Sequence, residues 1–199
     1  MEAAREGKRV SVIDLDIVNP YFRTADFASL FESHGIRIIS PLYANTNLDI
    51  PALTGAVEAC LRGPADETVI IDVGGDDAGA VALGRYAELI RQKEYSHLYV
   101  INSCRYLTAT AGEAASLLRD IEAVSHLMAT GIVNNSNLGP LTDEDTVTAS
   151  LEFAAGVSRQ TGLPLWGTTV RRELAEKLSI PGICPVDIYV TSVWDREDQ

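Results

Sequence analysis

Asp14 and Asp16 lie two residues apart at the end of a short apolar run, Arg9 to Asp14 (RVSVID). In extended backbone, alternate side chains share a side, so this spacing puts both carboxylates together. Such a pair can hold a hydrated magnesium ion or polarise a water, and each carboxylate can equally cap the following turn. A second apolar run, Val69-Ile70-Ile71, delivers Asp72 to another strand end and continues as Gly74-Gly75-Asp76-Asp77-Ala78-Gly79. Adjacent glycines let backbone N–H groups approach a phosphate that side chains would block. A flexible acidic turn is the plainer reading of the same residues.

Asn134 and Asn135 end a third apolar run, where a planar amide can donate to and accept from the edge of a base, or simply form a turn. Arg171 and Arg172 follow Thr168-Thr169 and could flank a base or phosphate, or stand as solvated charges. Other chemistries have little support. His34, His97 and His126 share no ligand spacing with each other or with Cys60, Cys104 and Cys184, and neither G-x-S-x-G nor G-x-G-x-x-G occurs.

Short β-rich runs alternating with helical patterns must position these groups, which predicts parallel strands joined by crossover helices. Strands are expected at Arg9 to Asp14, Ile36 to Ser40, Thr68 to Val73, His97 to Asn102, Met128 to Asn134, Leu163 to Thr168 and Val186 to Val193. Helices are expected near Thr24 to His34, Pro51 to Leu61, Ala78 to Arg91, Asp143 to Thr161 and Arg171 to Leu178. Another should start at a capping box, Thr110 with Glu113. No linker or repeat interrupts the pattern, so one domain, residues 1–199, with a doubly wound, mostly parallel sheet and helices on both faces is expected. Ligands of such sheets bind beyond the carboxyl ends of the strands, where all of these polar turns fall.

Composition narrows the partners. The 199 residues carry a formal charge of −12, which repels nucleic acid and anionic lipid. The scattered cysteines read as reduced thiols, and no apolar run approaches membrane-spanning length, so a soluble, cytoplasmic protein is expected.

Read together, Val12 to Arg23 (VIDLDIVNPYFR) and Val69 to Gly84 (VIIDVGGDDAGAVALG) resemble the ParA/MinD/CobQ-type nucleotide-binding superfamily of P-loop NTPases, the SIMIBI class. Val133-Asn134-Asn135 and Val170-Arg171-Arg172 strengthen the likeness to stand-alone bacterial ATP-binding proteins. The resemblance implies that Asp16 orients the attacking water, that Asp14 and Asp72 surround magnesium, and that Asn134 reads adenine. It further implies that Asn135, Arg171, Gly74 and Gly75 contact the nucleotide. Asn19 to Arg23 and Gly74 to Gly79 correspond to switch segments sensing the terminal phosphate. ATP and Mg2+ are the implied cofactors, and a homodimer with nucleotide between subunits the implied assembly.

One family element is not found. Members begin with a strand and a G-x-x-G-x-G-K-[ST] phosphate loop, whereas here Glu6-Gly7-Lys8-Arg9 already corresponds to the end of the following helix. The expectation is therefore a P-loop NTPase-like fold with its first strand missing, an ATPase when complete, and little hydrolysis by these residues alone. A non-hydrolysing protein-interaction module retaining the fold is the alternative.

Overall fold

A computed structural model describes residues 1–16, 24–40 and 49–189. Its residues form two compact units, Met1–Tyr95 with Ala123–Leu127 and Ser96–Glu122 with Met128–Gln199. The switch-like segment Asn19 to Arg23 and the tail after Tyr189 lie outside the described residues.

In the first unit, α1 (Glu2–Arg5) leads into β1 (Arg9–Asp14). A 3-10 turn (Thr24–Phe27) and α2 (Ala28–Ser33) precede β2 (Arg37–Ile39). Then come α3 (Asp49–Leu61), β3 (Glu67–Asp72), α4 (Asp77–Gly84) and α5 (Ala87–Arg91). The sheet order is β2-β1-β3 with both ladders parallel.

Central placement explains why β1 reads as a nearly continuous apolar run: both its faces are buried. Val10 and Val12 pack with Ile36 under Met1, Ala3, Ala4 and Phe31, from α1 and α2. Ile13, on the opposite face, packs with Val57, Cys60, Leu61, Leu83 and Ile90, from α3, α4 and α5. Buried Ser11 is accommodated by donating its hydroxyl proton to Glu67. Burying one such valine or isoleucine side chain contributes about 2 kcal/mol, so the two clusters fix the height of the β1 carboxylates.

The single helix expected over Ala78 to Arg91 is two, α4 and α5. The break falls at Gly84, where a β-carbon would meet the Val124 carbonyl oxygen at 2.6 Å. The residue that allows this close approach is also a weak helix former.

The second unit holds β4 (Leu98–Ile101), a 3-10 turn (Tyr106–Thr108), and the helix α6 (Ala111–Ser125) as far as Glu122. It continues with β5 (Gly131–Asn134), a 3-10 turn (Gly139–Leu141), α7 (Glu144–Thr161), β6 (Leu165–Arg171), α8 (Arg172–Ala175) and β7 (Ile183–Val186). All ladders are parallel in the order β4-β5-β6-β7, with Ile101, Asn134, Thr168 and Ile183 in one row.

The capping box forms as the sequence predicts: Thr110 Oγ1 accepts from Glu113 N–H and Glu113 Oε2 from Thr110 N–H, at 3.2 and 2.9 Å. Asp143 caps α7 by accepting from Thr146 N–H at 2.8 Å, and Gly162 closes it at φ +73°. Tyr99 is buried and donates to the Ala114 carbonyl, joining β4 to α6.

The expected doubly wound α/β architecture with parallel strands is present, and among the described residues its strands form a sheet of three in the first unit and a sheet of four in the second. β7 lies at Ile183–Val186, where Ile183 pairs with Thr168 and Val186 with Arg171, while the strand expected over Val186 to Val193 extends outside the described residues. The helix expected over Arg171 to Leu178 is limited to Arg172–Ala175, since Arg171 still belongs to β6.

Candidate functional site

Asp14 and Asp72 are register partners on the adjacent strands β1 and β3, so both carboxylates emerge at the carboxyl end of the first sheet. The ladder continues one step beyond, with Leu15 N–H donating to Asp72 O at 2.8 Å. Asp14 is 1% exposed and its Oδ1 accepts from Asp16 N–H at 3.0 Å. The turn-capping role of an aspartate at a strand end is thus realised. Asp72 is exposed, and its Oδ2 accepts from the Thr24 hydroxyl at 2.5 Å.

Asp16 stands over Gly74, where a β-carbon would lie 3.2 Å from its Oδ1. Gly79 presses on the same glycine: a β-carbon there would lie 2.7–2.9 Å from the O, Cα and N of Gly74. Asp76 caps α4 by accepting from Gly79 N–H at 2.8 Å. The Asp16 carboxylate and the α4 backbone at Gly79 thus both lie where a Gly74 side chain would stand, while Gly75 is exposed in the same turn.

Among the described residues, no group of three or more His, Cys, Asp or Glu is placed to hold a metal. Two neighbouring carboxylates fit the smaller demand of Mg2+, which keeps several waters and takes one or two protein carboxylates when phosphates supply the rest.

In the second unit, Asn134 is fully buried at the end of β5. Its Nδ2 donates to Ser150 Oγ at 2.9 Å and Thr168 Oγ1 at 3.3 Å. Its Oδ1 accepts from Ser136 N–H at 3.2 Å and Ser136 Oγ at 2.7 Å. Two donors and two lone pairs are thereby used, so the amide has no capacity left for a base as it stands. Its neighbour Asn135 is exposed, and its Oδ1 accepts from the Thr169 hydroxyl at 2.5 Å.

Arg171 donates through Nη2 to the Thr142 carbonyl at 3.1 Å, while its buried Nε has no hydrogen-bond partner. Arg172 forms a two-pronged ion pair with Asp187, at 2.7 and 3.1 Å. The adjacent arginines, alike in sequence, have different surroundings.

Sequence reasoning overlooked Thr24, Ser136 and Ser150. Ser150 left a signal: with Val147, Ala154 and Val157 it lies on the buried stripe of α7, where an apolar residue would be the default. Ser136, two residues after Asn134, has the spacing of an Asx turn. Thr24 gave no signal.

No family model matches the chain. None of the curated proteins compared matches it either. Solved structures do, and they show the fold, a parallel α/β architecture. One is a crystal structure of FtsY from Mycoplasma mycoides, at TM-score 0.58 and 13% identity, covering 85% of this chain and 53% of that one. A second FtsY structure from that organism aligns at TM-score 0.51 and 14% identity, with the same coverage. The chain thus spans about half the length of the FtsY chains it matches. No helix among the described residues is long and apolar enough to cross a membrane.

Proposed function

We propose that this protein binds an adenine nucleotide with Mg2+, in the manner of the ParA/MinD type of SIMIBI NTPase, and acts as an ATPase when a phosphate loop is available. The observation that carries the reading is the register pairing of Asp14 with Asp72, beside Asp16 over a glycine turn. Two carboxylates at the ends of adjacent parallel strands suit the magnesium of a bound nucleoside triphosphate, and a third nearby suits the nucleophilic water. Gly74 and Gly75 are the backbone groups offered to phosphate.

No lysine-bearing phosphate loop occurs within the 199 residues, so the aspartates meet the triphosphate without its positive partner. Affinity and turnover of the isolated chain are therefore low. Calorimetry with ATP, GTP and their magnesium complexes tests this. Weak, magnesium-dependent binding that prefers ATP and disappears in Asp72→Asn is the expected result. Nucleotide binding that is indifferent to magnesium and unchanged in Asp72→Asn would overturn it, as would its absence at millimolar nucleotide.

A further inference from the structure

The loops that follow β4 and β5 expose four large apolar side chains: Tyr106 (92%), Leu107 (79%), Leu138 (51%) and Leu141 (79%). Single exposed leucines are ordinary, but clustered ones mark interaction surfaces. Three of them sit on two 3-10 turns, Tyr106–Thr108 and Gly139–Leu141, and Leu138 immediately precedes the second; the two loops are fastened to each other. Ser103 N–H donates to Ser136 Oγ at 2.9 Å, and Asn102 Oδ1 accepts from Asn137 N–H at 3.3 Å.

Each loop is also braced internally. Buried Thr142 accepts from Leu138 N–H at 2.9 Å and donates to the Gly139 carbonyl at 2.8 Å. Buried Thr108 donates to the Asn102 carbonyl at 3.4 Å. The apolar side chains are therefore displayed by pre-ordered backbone, which lowers the entropic cost of docking.

Charge decides what docks there. Exposed Asp143, Glu144 and Asp145 follow Leu141 after the buried Thr142, and exposed Glu113 lies in the first turn after the other loop; these four acids stand against Arg105 and Arg171, whose Nη2 donates to the Thr142 carbonyl. Asp143 and Glu113 accept cap hydrogen bonds, which hold both carboxyl groups below their ordinary range and keep them charged. An acidic rim around apolar anchors repels an anionic membrane. It equally repels a second copy, which carries the same rim and a charge of −12.

We infer that the paired loops are a docking surface for a cationic amphipathic segment of another protein, with leucine or aromatic anchors and lysine or arginine flanks. An amphipathic helix presents such anchors on one face at spacings of three or four residues. It does not depend on nucleotide binding.

The test uses the 199-residue chain and synthetic, fluorescently labelled amphipathic peptides of about five helical turns. One has a leucine stripe flanked by lysines, the second has glutamates for the lysines, and the third has the lysine composition scrambled. The lysine peptide should bind, more weakly as salt rises, and the other two should not. Tyr106→Ser with Leu141→Ser should weaken binding about tenfold or more, while Glu144→Lys with Asp145→Lys should weaken it and flatten the salt dependence. Binding of all three peptides alike, or unchanged binding in both variants, would overturn the inference. So would retention on anionic vesicles, or concentration-dependent dimerisation abolished by Tyr106→Ser with Leu141→Ser.

Discussion

Gly79 and Gly74 touch through their backbones: a β-carbon on Gly79 would stand 2.7 Å from the Gly74 carbonyl oxygen and 2.8 Å from its Cα. Neither contacted atom belongs to a flexible side chain, so an added methyl group forces the start of α4 away from the turn after β3. Gly79→Ala should cost about 1–3 kcal/mol in urea unfolding and weaken magnesium-nucleotide binding, because Asp16 rests on the same turn.

Asn134 and Asn135 should separate sharply. Asn134→Ala strands Ser136, Ser150 and Thr168 in the interior and should cost about 2–3 kcal/mol. Exposed Asn135→Ala should stay within about 0.5 kcal/mol of the parent. Urea midpoints and calorimetry on both variants give the comparison; equal stability losses would count against the internal role of Asn134.

Tyr99 offers a spectroscopic prediction. Burial pushes its phenol up to about 12, with its hydroxyl proton held on the Ala114 carbonyl. A raised folded-state value means that the neutral form is favoured in the fold. Its contribution is therefore intact below the unfolded value and is lost between about pH 10 and pH 12. Tyrosinate absorbance should show one late-titrating group that vanishes in Tyr99→Phe. The variant should be less stable at neutral pH by about 1 kcal/mol, with a flatter alkaline limb.

The caps of α6 and α7 set the acid limb. Thr110 lowers the Glu113 carboxyl and Thr146 lowers that of Asp143, in each case through side-chain and backbone hydrogen bonds. Depressed folded-state values give stability that is present above the unfolded values and lost as pH falls through the folded ones, below about pH 4. Asn caps as well as Asp without titrating, so Asp143→Asn with Glu113→Gln should keep helicity at pH 7 and lessen its acid dependence. Circular dichroism across the acid range would reveal an unchanged slope if the caps are not responsible.

The parallel α/β pattern was legible because its signals are local: β1 reads as a strand buried on both faces, and Thr110 with Glu113 as a capping box. Tertiary contacts decided the rest. Gly84 splits a helix because Val124 approaches it, and β6 extends to Arg171 because that residue pairs with Val186 of β7. At the site, strand-end aspartates announce themselves by type and spacing, and register alone places Asp14 beside Asp72. Which asparagine points inward was not legible, since adjacent residues of identical type differ only through the polar groups on α7 and β6 that receive one of them.

The placement of β1 between β2 and β3, with side chains buried above and below, has a consequence for how the first unit opens. Its amide protons should exchange with deuterated water only when that unit unfolds as a whole, whereas part of the β3 backbone, on the border of the sheet among the described residues, should exchange through smaller openings. Asp14 rides on the slowest-exchanging strand and Asp72 on one that frays. Of the two partnered carboxylates, one is a fixed post and the other the adjustable one.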